Sequence, residues 1–93
     1  MLKIGFSPSC LKKLKKIKRK QPELFSQISS QFHIFQINPK HPSLRLHKLA
    51  GSHQESWSVS VNMSYRLLFY YASENQEISV VFFAMGKHEE VYD

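Results

Sequence analysis

The sequence predicts an α+β fold in which an N-terminal strand and a helical hairpin pack on a twisted, mainly antiparallel sheet. Three observations carry this. Apolar residues recur at three- and four-residue steps as far as Phe35, the period changes to two from Leu44 onward, and short turn-forming stretches separate the later runs as hairpins require. The 93 residues suit a single domain, 1–93, because a chain of this size buries too little surface for a second core. An apolar content of 42% is enough to fill that core and argues against disorder.

Leu2 to Phe6 alternates weakly and reads as a short strand, ended by Ser7-Pro8-Ser9. Ser7 is placed to cap a helix, with Pro8 at the first helical position, where its missing N–H costs nothing. Cys10, Leu11, Leu14 and Ile17 form the apolar stripe of that helix, and Lys12, Lys13, Lys15, Lys16, Lys18, Arg19 and Lys20 fill most of the rest. Gln21-Pro22 interrupts it, because the residue before a proline is pushed out of helical conformation, and Pro22 starts a second helix. There Leu24, Phe25, Ile28, Phe32 and Phe35 make a wide apolar face that suits a hairpin with the first helix.

Asn38 to Ser43 is a loop by composition. Leu44 to Leu49 then alternates as a strand, with Leu44, Leu46 and Lys48 on one side and Arg45, His47 and Leu49 on the other; Ala50-Gly51-Ser52 is a turn. Trp57, Val59 and Val61 give the next strand an apolar face opposite Ser58, Ser60 and Asn62. Asn62-Met63-Ser64 makes a tight connection to a strand from Tyr65 to Tyr71, and Ser73 to Gln76 leads into a final strand ending at Gly86. Both helices are expected on one face of this meander, leaving the other face as a candidate groove.

The net charge of +6 is unevenly spread: residues 1–73 hold twelve bases and two acids, and residues 74–93 one base and five acids. Seven bases fall within residues 11–20 without an acid among them, which points to polyanion contact; a solvated amphipathic helix is the blander reading. The single Cys10 permits no intramolecular disulfide and suits a reducing cytosol. No apolar run approaches the ~18 residues of a membrane span and the start lacks a signal-peptide core, so a cytoplasmic protein is expected. His41, His47 and His53 match no usual zinc spacing, and no metal site is assigned.

Four residues are candidates for chemistry. Arg66 stands between Tyr65 and Leu67 in an apolar run. A fixed guanidinium can fork onto a phosphate and stabilise added negative charge, although an ordinary strand arginine reaching solvent has the same signature. His88 and Tyr92 follow the final strand four residues apart. Histidine exchanges protons near neutral pH, the flanking carboxylates Glu89 and Glu90 favour its charged form, and Tyr92 can stack on a base or hold a phosphate; a solvated tail is the alternative. His47 is a second candidate acid or base, or a polar strand residue without such a role. Arg45, Lys48 and Lys87 join the basic helix as candidate RNA-binding residues.

The stretch Leu44 to Ser52, the run Trp57 to Asn62, Tyr65 to Phe69, and Gly86 to Tyr92 resemble, in this order and spacing, the RelE/ParE toxin superfamily of bacterial toxin-antitoxin systems. Its RelE-like members cleave mRNA in the ribosomal A site, and its ParE-like members inhibit DNA gyrase. His88 and Tyr92 are similar to the terminal histidine and aromatic of YafQ-like mRNA interferases, and His47 to a histidine in their leucine and glycine-serine context. Arg66 is similar to the strand arginine of RelE- and HigB-like members, while Ser60 and Ser64 stand where YafQ-like members carry a histidine and an aspartate.

The resemblance implies a type II toxin that is a ribosome-dependent endoribonuclease. It would use metal-free 2'-hydroxyl attack and no cofactor. Its implied partners are an acidic cognate antitoxin encoded nearby, the ribosome and mRNA, with no DNA binding by the toxin alone. A ParE-like gyrase inhibitor and an inactive homologue that keeps only antitoxin binding are the alternatives.

Overall fold

The computed structural model describes residues 3–49 and 55–87, without the side chain of Glu74. Strand β1 (Lys3–Phe6) leads into helices α1 (Pro8–Lys20) and α2 (Pro22–Ile37), followed by a single 3-10 turn at Pro42–Leu44. Strands β2 (His47–Lys48), β3 (Ser56–Ser60), β4 (Tyr65–Glu74) and β5 (Glu77–Lys87) complete the chain. The sheet order is β1-β5-β4-β3-β2, parallel between β1 and β5 and antiparallel elsewhere. The α+β architecture is the one expected. Among the described residues no helix is long and apolar enough to cross a membrane.

The helix boundaries follow from local chemistry. Ser7 Oγ accepts the Cys10 N–H at 3.2 Å and so satisfies one of the donors that a helix start leaves unpaired. Gln21 closes α1 through its N–H to the Ile17 carbonyl at 2.7 Å, and Pro22 then opens α2. Cys10 and Ile17 are buried and Leu14 partly so, whereas Leu11 is 40% exposed. Leu11 lies about 100° round the helix from Cys10, off the face that meets the core.

Phe82 is the hub of that core. Its ring centroid lies 5.0 Å from Phe32, 5.2 Å from Phe69, 5.7 Å from Phe35 and 6.1 Å from Phe6, which joins α2, β1, β4 and β5. Lys13 adds a polar tie from α1, its Nζ donating to the Met85 carbonyl of β5 at 2.7 Å.

A β-bulge shapes the far end of β5. Leu68 pairs with Ala84 but Phe69 with Phe82, so Phe83 is the extra residue. Alternation restarts there: Val80 and Phe82 face the core before it, and Met85 does so after it. Gly86 is thereby turned to the helix-free side.

The strand expected over Leu44 to Leu49 is much shorter. Pro42–Leu44 is a 3-10 turn, Arg45 is left-handed at φ 47, and among the described residues the strand is reduced to His47–Lys48, with the Leu49 N–H also donating to the Ser56 carbonyl of β3 at 2.9 Å. Pro42 suits the turn, His41 Nδ1 accepts the Ser43 N–H at 3.1 Å to cap it, and Leu44 is driven fully into the core. The Ala50-Gly51-Ser52 turn lies outside the described residues, as do His53, His88, Glu89, Glu90 and Tyr92. In the other direction β4 runs past Tyr71 to Glu74, and a two-residue turn with positive φ at Asn75 (52) and Gln76 (67) joins it to β5.

Candidate catalytic face

The core lies between the helices and one face of the sheet. Leu67, Val59 and Met85 point into it, so their strand neighbours Arg66, Ser58, Ser60 and Gly86 belong to the opposite face. Register arranges that face in rows. His47, Ser58, Leu68 and Ala84 form one row across β2 to β5, and Ser60, Arg66 and Gly86 form the next.

Ser58 and Ser60 are expected on a polar face, yet they are 0% and 6% exposed, and Ser56 beside them is 4% exposed. Each is small and stands in a row with a larger neighbour: Tyr70 beside Ser56, His47 and Leu68 beside Ser58, Arg66 beside Ser60. They make a low floor between taller side chains.

Arg66 is half-buried, and its guanidinium is drawn toward the β3–β4 connection. Nη1 donates to the Asn62 carbonyl at 2.6 Å and to the Tyr65 carbonyl at 3.2 Å. Among the described residues no carboxylate forms an ion pair with Arg66, so its charge meets carbonyl dipoles and is not neutralised by them. Directly across β5 from it is Gly86, which offers no side chain between the guanidinium and the strand end. The described chain stops one residue later, at Lys87, and His88 follows in sequence.

His47 shares this face but not this end of it. Two strand spacings and a two-residue step put its Cα about 12 Å from that of Arg66, and Arg66 leans away from its row. His47 is exposed, and its Nδ1 meets the Arg45 carbonyl at 3.1 Å. A carbonyl can only accept, so Nδ1 is the donor in this bond.

The basic candidates are not gathered on this face. Lys12, Lys15, Lys16, Arg19 and Lys20 are exposed on α1, in the helical layer. Lys13 is tied to Met85, and Lys18 sits 5.6 Å over the Phe25 ring. Lys48 is ion-paired with Glu55 at 3.1 Å. Arg45 lines a separate hollow of about 400 Å3 with Lys40, His41 and Trp57. Lys87 pairs with Tyr65 and so follows the core-facing parity of Met85; it lines a shallow cleft of about 620 Å3 with Gln27, Asn62 and Tyr65.

No family model matches the chain, and no curated protein matches it in sequence. Solved structures do match. The YoeB/ParE toxin from Agrobacterium tumefaciens has a TM-score of 0.76 at 14% identity, covering 94% of this chain and 99% of that one. The YoeB dimer from Staphylococcus aureus has a TM-score of 0.72 at 18% identity, covering 94% and 97%. YafQ from E. coli has a TM-score of 0.72 at 15% identity over 100% of both chains. The chain has the RelE/ParE toxin fold. Two proteins of this fold are also seen with partners, YoeB with YefM in S. aureus and YafQ with DinJ in an E. coli toxin-antitoxin complex.

Within this RelE/ParE fold, Ser60 lies beside Arg66 in the ladder, and Ser64 Oγ donates to Asn62 Oδ1 at 3.2 Å. Asn62 itself was not singled out for chemistry by sequence reasoning. The signal was present, since an asparagine followed two residues later by a serine between strand runs is a side-chain-closed turn, but its link to Arg66 depends on where the carbonyl points.

Proposed function

We propose that this protein is the toxin of a type II toxin-antitoxin pair and cleaves mRNA on the ribosome. The observation that carries the reading is the register of Arg66 with Gly86 on the face left open by the helices. It brings a permanent cation beside the strand end that leads, two residues after Gly86, to His88. The fold shared with YoeB and YafQ supports the reading.

In the reaction, the 2'-hydroxyl of one nucleotide loses its proton to a base and its oxygen bonds to the adjacent phosphorus. The bond from phosphorus to the 5'-oxygen breaks, and that oxygen takes a proton. The products are a cyclic 2',3'-phosphate and a free 5'-hydroxyl. Arg66 stabilises the charge on the phosphorane oxygens, His88 donates the proton to the leaving oxygen, His47 is the candidate base, and Tyr92 stacks on or positions the message. The exposed bases of α1 dock on ribosomal RNA. A cognate antitoxin, acidic against this chain's +6, inhibits it.

The test is a primer-extension map of message ends in a translating extract. Native protein is expected to produce new ends only on translated messages. Cleavage at the native rate by the Arg66→Ala, His88→Ala double variant would sink the proposal, as would native protein that leaves mRNA intact and blocks DNA supercoiling in a parallel assay.

A further inference from the structure

A guanidinium at the end of a flexible side chain is an effective catalytic group only if something fixes it before the substrate arrives. Here the fixing groups are two carbonyls of the β3–β4 connection, and both are acceptors for Nη1. With Nη1 so engaged, the edge formed by Nη2 and Nε is the side of the fork left to face a phosphate.

The shape of that connection is set by one side chain. Asn62 Oδ1 accepts from the Ser64 N–H at 2.9 Å, the Ser64 hydroxyl at 3.2 Å and the Tyr65 N–H at 2.9 Å. Asn62 Nδ2 donates to Gln27 Oε1 at 3.0 Å, which ties the turn to α2. The Val61 N–H to the Tyr65 carbonyl, at 2.9 Å, closes the strand pair beneath it. The side chain of Asn62 thus determines where its own carbonyl points, and that carbonyl makes the shorter of the two bonds to Arg66.

We infer that Asn62 is a positioning residue for Arg66, anchored through Gln27 to α2 and acting on the reaction only through the orientation of the guanidinium. The inference rests on the proposed role of Arg66 at the phosphate. An alanine at position 62 removes the three bonds to Oδ1 and the tether to Gln27, so Arg66 samples several rotamers and meets the phosphate correctly only part of the time.

Two readouts test it. The first is single-turnover cleavage of ribosome-bound message. Asn62→Ala is expected to lower the rate at saturating ribosomes about tenfold or more, leave the half-saturating ribosome concentration unchanged, and have no further effect in an Arg66→Ala background. An equal loss in both backgrounds, or no loss in either, overturns the inference. The second readout needs no activity: nitrogen NMR of the arginine side chains is expected to show hindered rotation of the Arg66 guanidinium in native protein and averaged signals in Asn62→Ala. Identical signals overturn the positioning role whatever the protein does to RNA, while hindered rotation lost in the variant of a protein that cuts no message would count against the nuclease reading alone. Should Asn62→Ala fail to fold, Gln27→Ala removes only the outer tether. It is expected to give a smaller loss of the same Arg66-dependent kind, and loss independent of Arg66 overturns the inference.

Discussion

Arg66 and Gly86 face each other across β4 and β5, one strand carrying a guanidinium held by two carbonyls and its partner carrying no side chain. Gly86 therefore puts no side chain beside Arg66 on that face. Arg66→Ala is expected to abolish toxicity, with a cleavage loss of about 10²–10³ and little change in thermal midpoint. Arg66→Lys keeps the charge but loses the fork, and is expected to recover only part of that loss. Primer extension beside thermal unfolding separates lost chemistry from lost fold.

His88→Ala is expected to lose about 10²–10⁴ in rate, because the 5'-oxygen then departs without a positioned proton donor. Thermal unfolding of the variant beside native protein separates lost chemistry from lost fold. A message with a better leaving group at the 5'-oxygen, such as a bridging sulfur, should recover much of the rate in His88→Ala and little in Arg66→Ala. Equal recovery in both would remove His88 from the acid role.

Stability hangs on the phenylalanine cluster. Phe82 is fully buried and meets four other rings among the described residues, so Phe82→Ala is expected to cost about 3–5 kcal/mol. Against a typical stability of about 5–15 kcal/mol, that leaves a marginal domain. Differential scanning calorimetry should show the midpoint falling by more than about 10 °C.

Burial pushes the Cys10 thiol up from 9.0 to about 11, against a smaller opposing pull from Lys13. Folding therefore favours the protonated thiol. Its contribution to stability is complete below pH 9.0 and is lost as pH rises toward about 11. Cys10→Ala should flatten the fall of stability across that window relative to native protein. At neutral pH iodoacetamide should modify Cys10 far more slowly than a free cysteine, and denaturant should abolish the difference.

The helical hairpin is legible because Pro8 and Pro22 mark both helix starts and the apolar residues keep one period between them. The sheet is legible in its existence but not in its details. Phe82 and Phe83 are both aromatic, so nothing in the sequence says which of them the bulge leaves out of register. Leu44 buries itself as well from a 3-10 turn, and Leu46 partly from the stretch after it, as either would from a strand, and alternation cannot tell these apart. Arg66 announces itself as a cation in an apolar run. Its anchor on Asn62 does not, because a backbone carbonyl leaves no trace in residue identity. His88 and Tyr92 rest on spacing and resemblance and lie outside the described residues.

All the lysines of the basic helix are exposed, but Lys13 and Lys18 also make contacts within the fold, and this difference predicts different phenotypes. Lys13 donates to Met85 and Lys18 covers Phe25, whereas Lys12, Lys15 and Lys16 are exposed on α1. Neutralising Lys12, Lys15 and Lys16 together to glutamine should weaken ribosome binding and make the plot of log affinity against log salt shallower by about 2–3, since each lost phosphate contact releases roughly one counterion fewer. The thermal midpoint should hardly move. Lys13→Gln should do the reverse, lowering the midpoint through the lost tie to β5 while changing the salt slope by less than about 1. Filter binding across a salt series, with unfolding measured on the same samples, checks both. If the triple variant kept the native slope, ribosome docking would have to run through another surface, and the hollow that Arg45 shares with Lys40 and Trp57 would be the next place to neutralise.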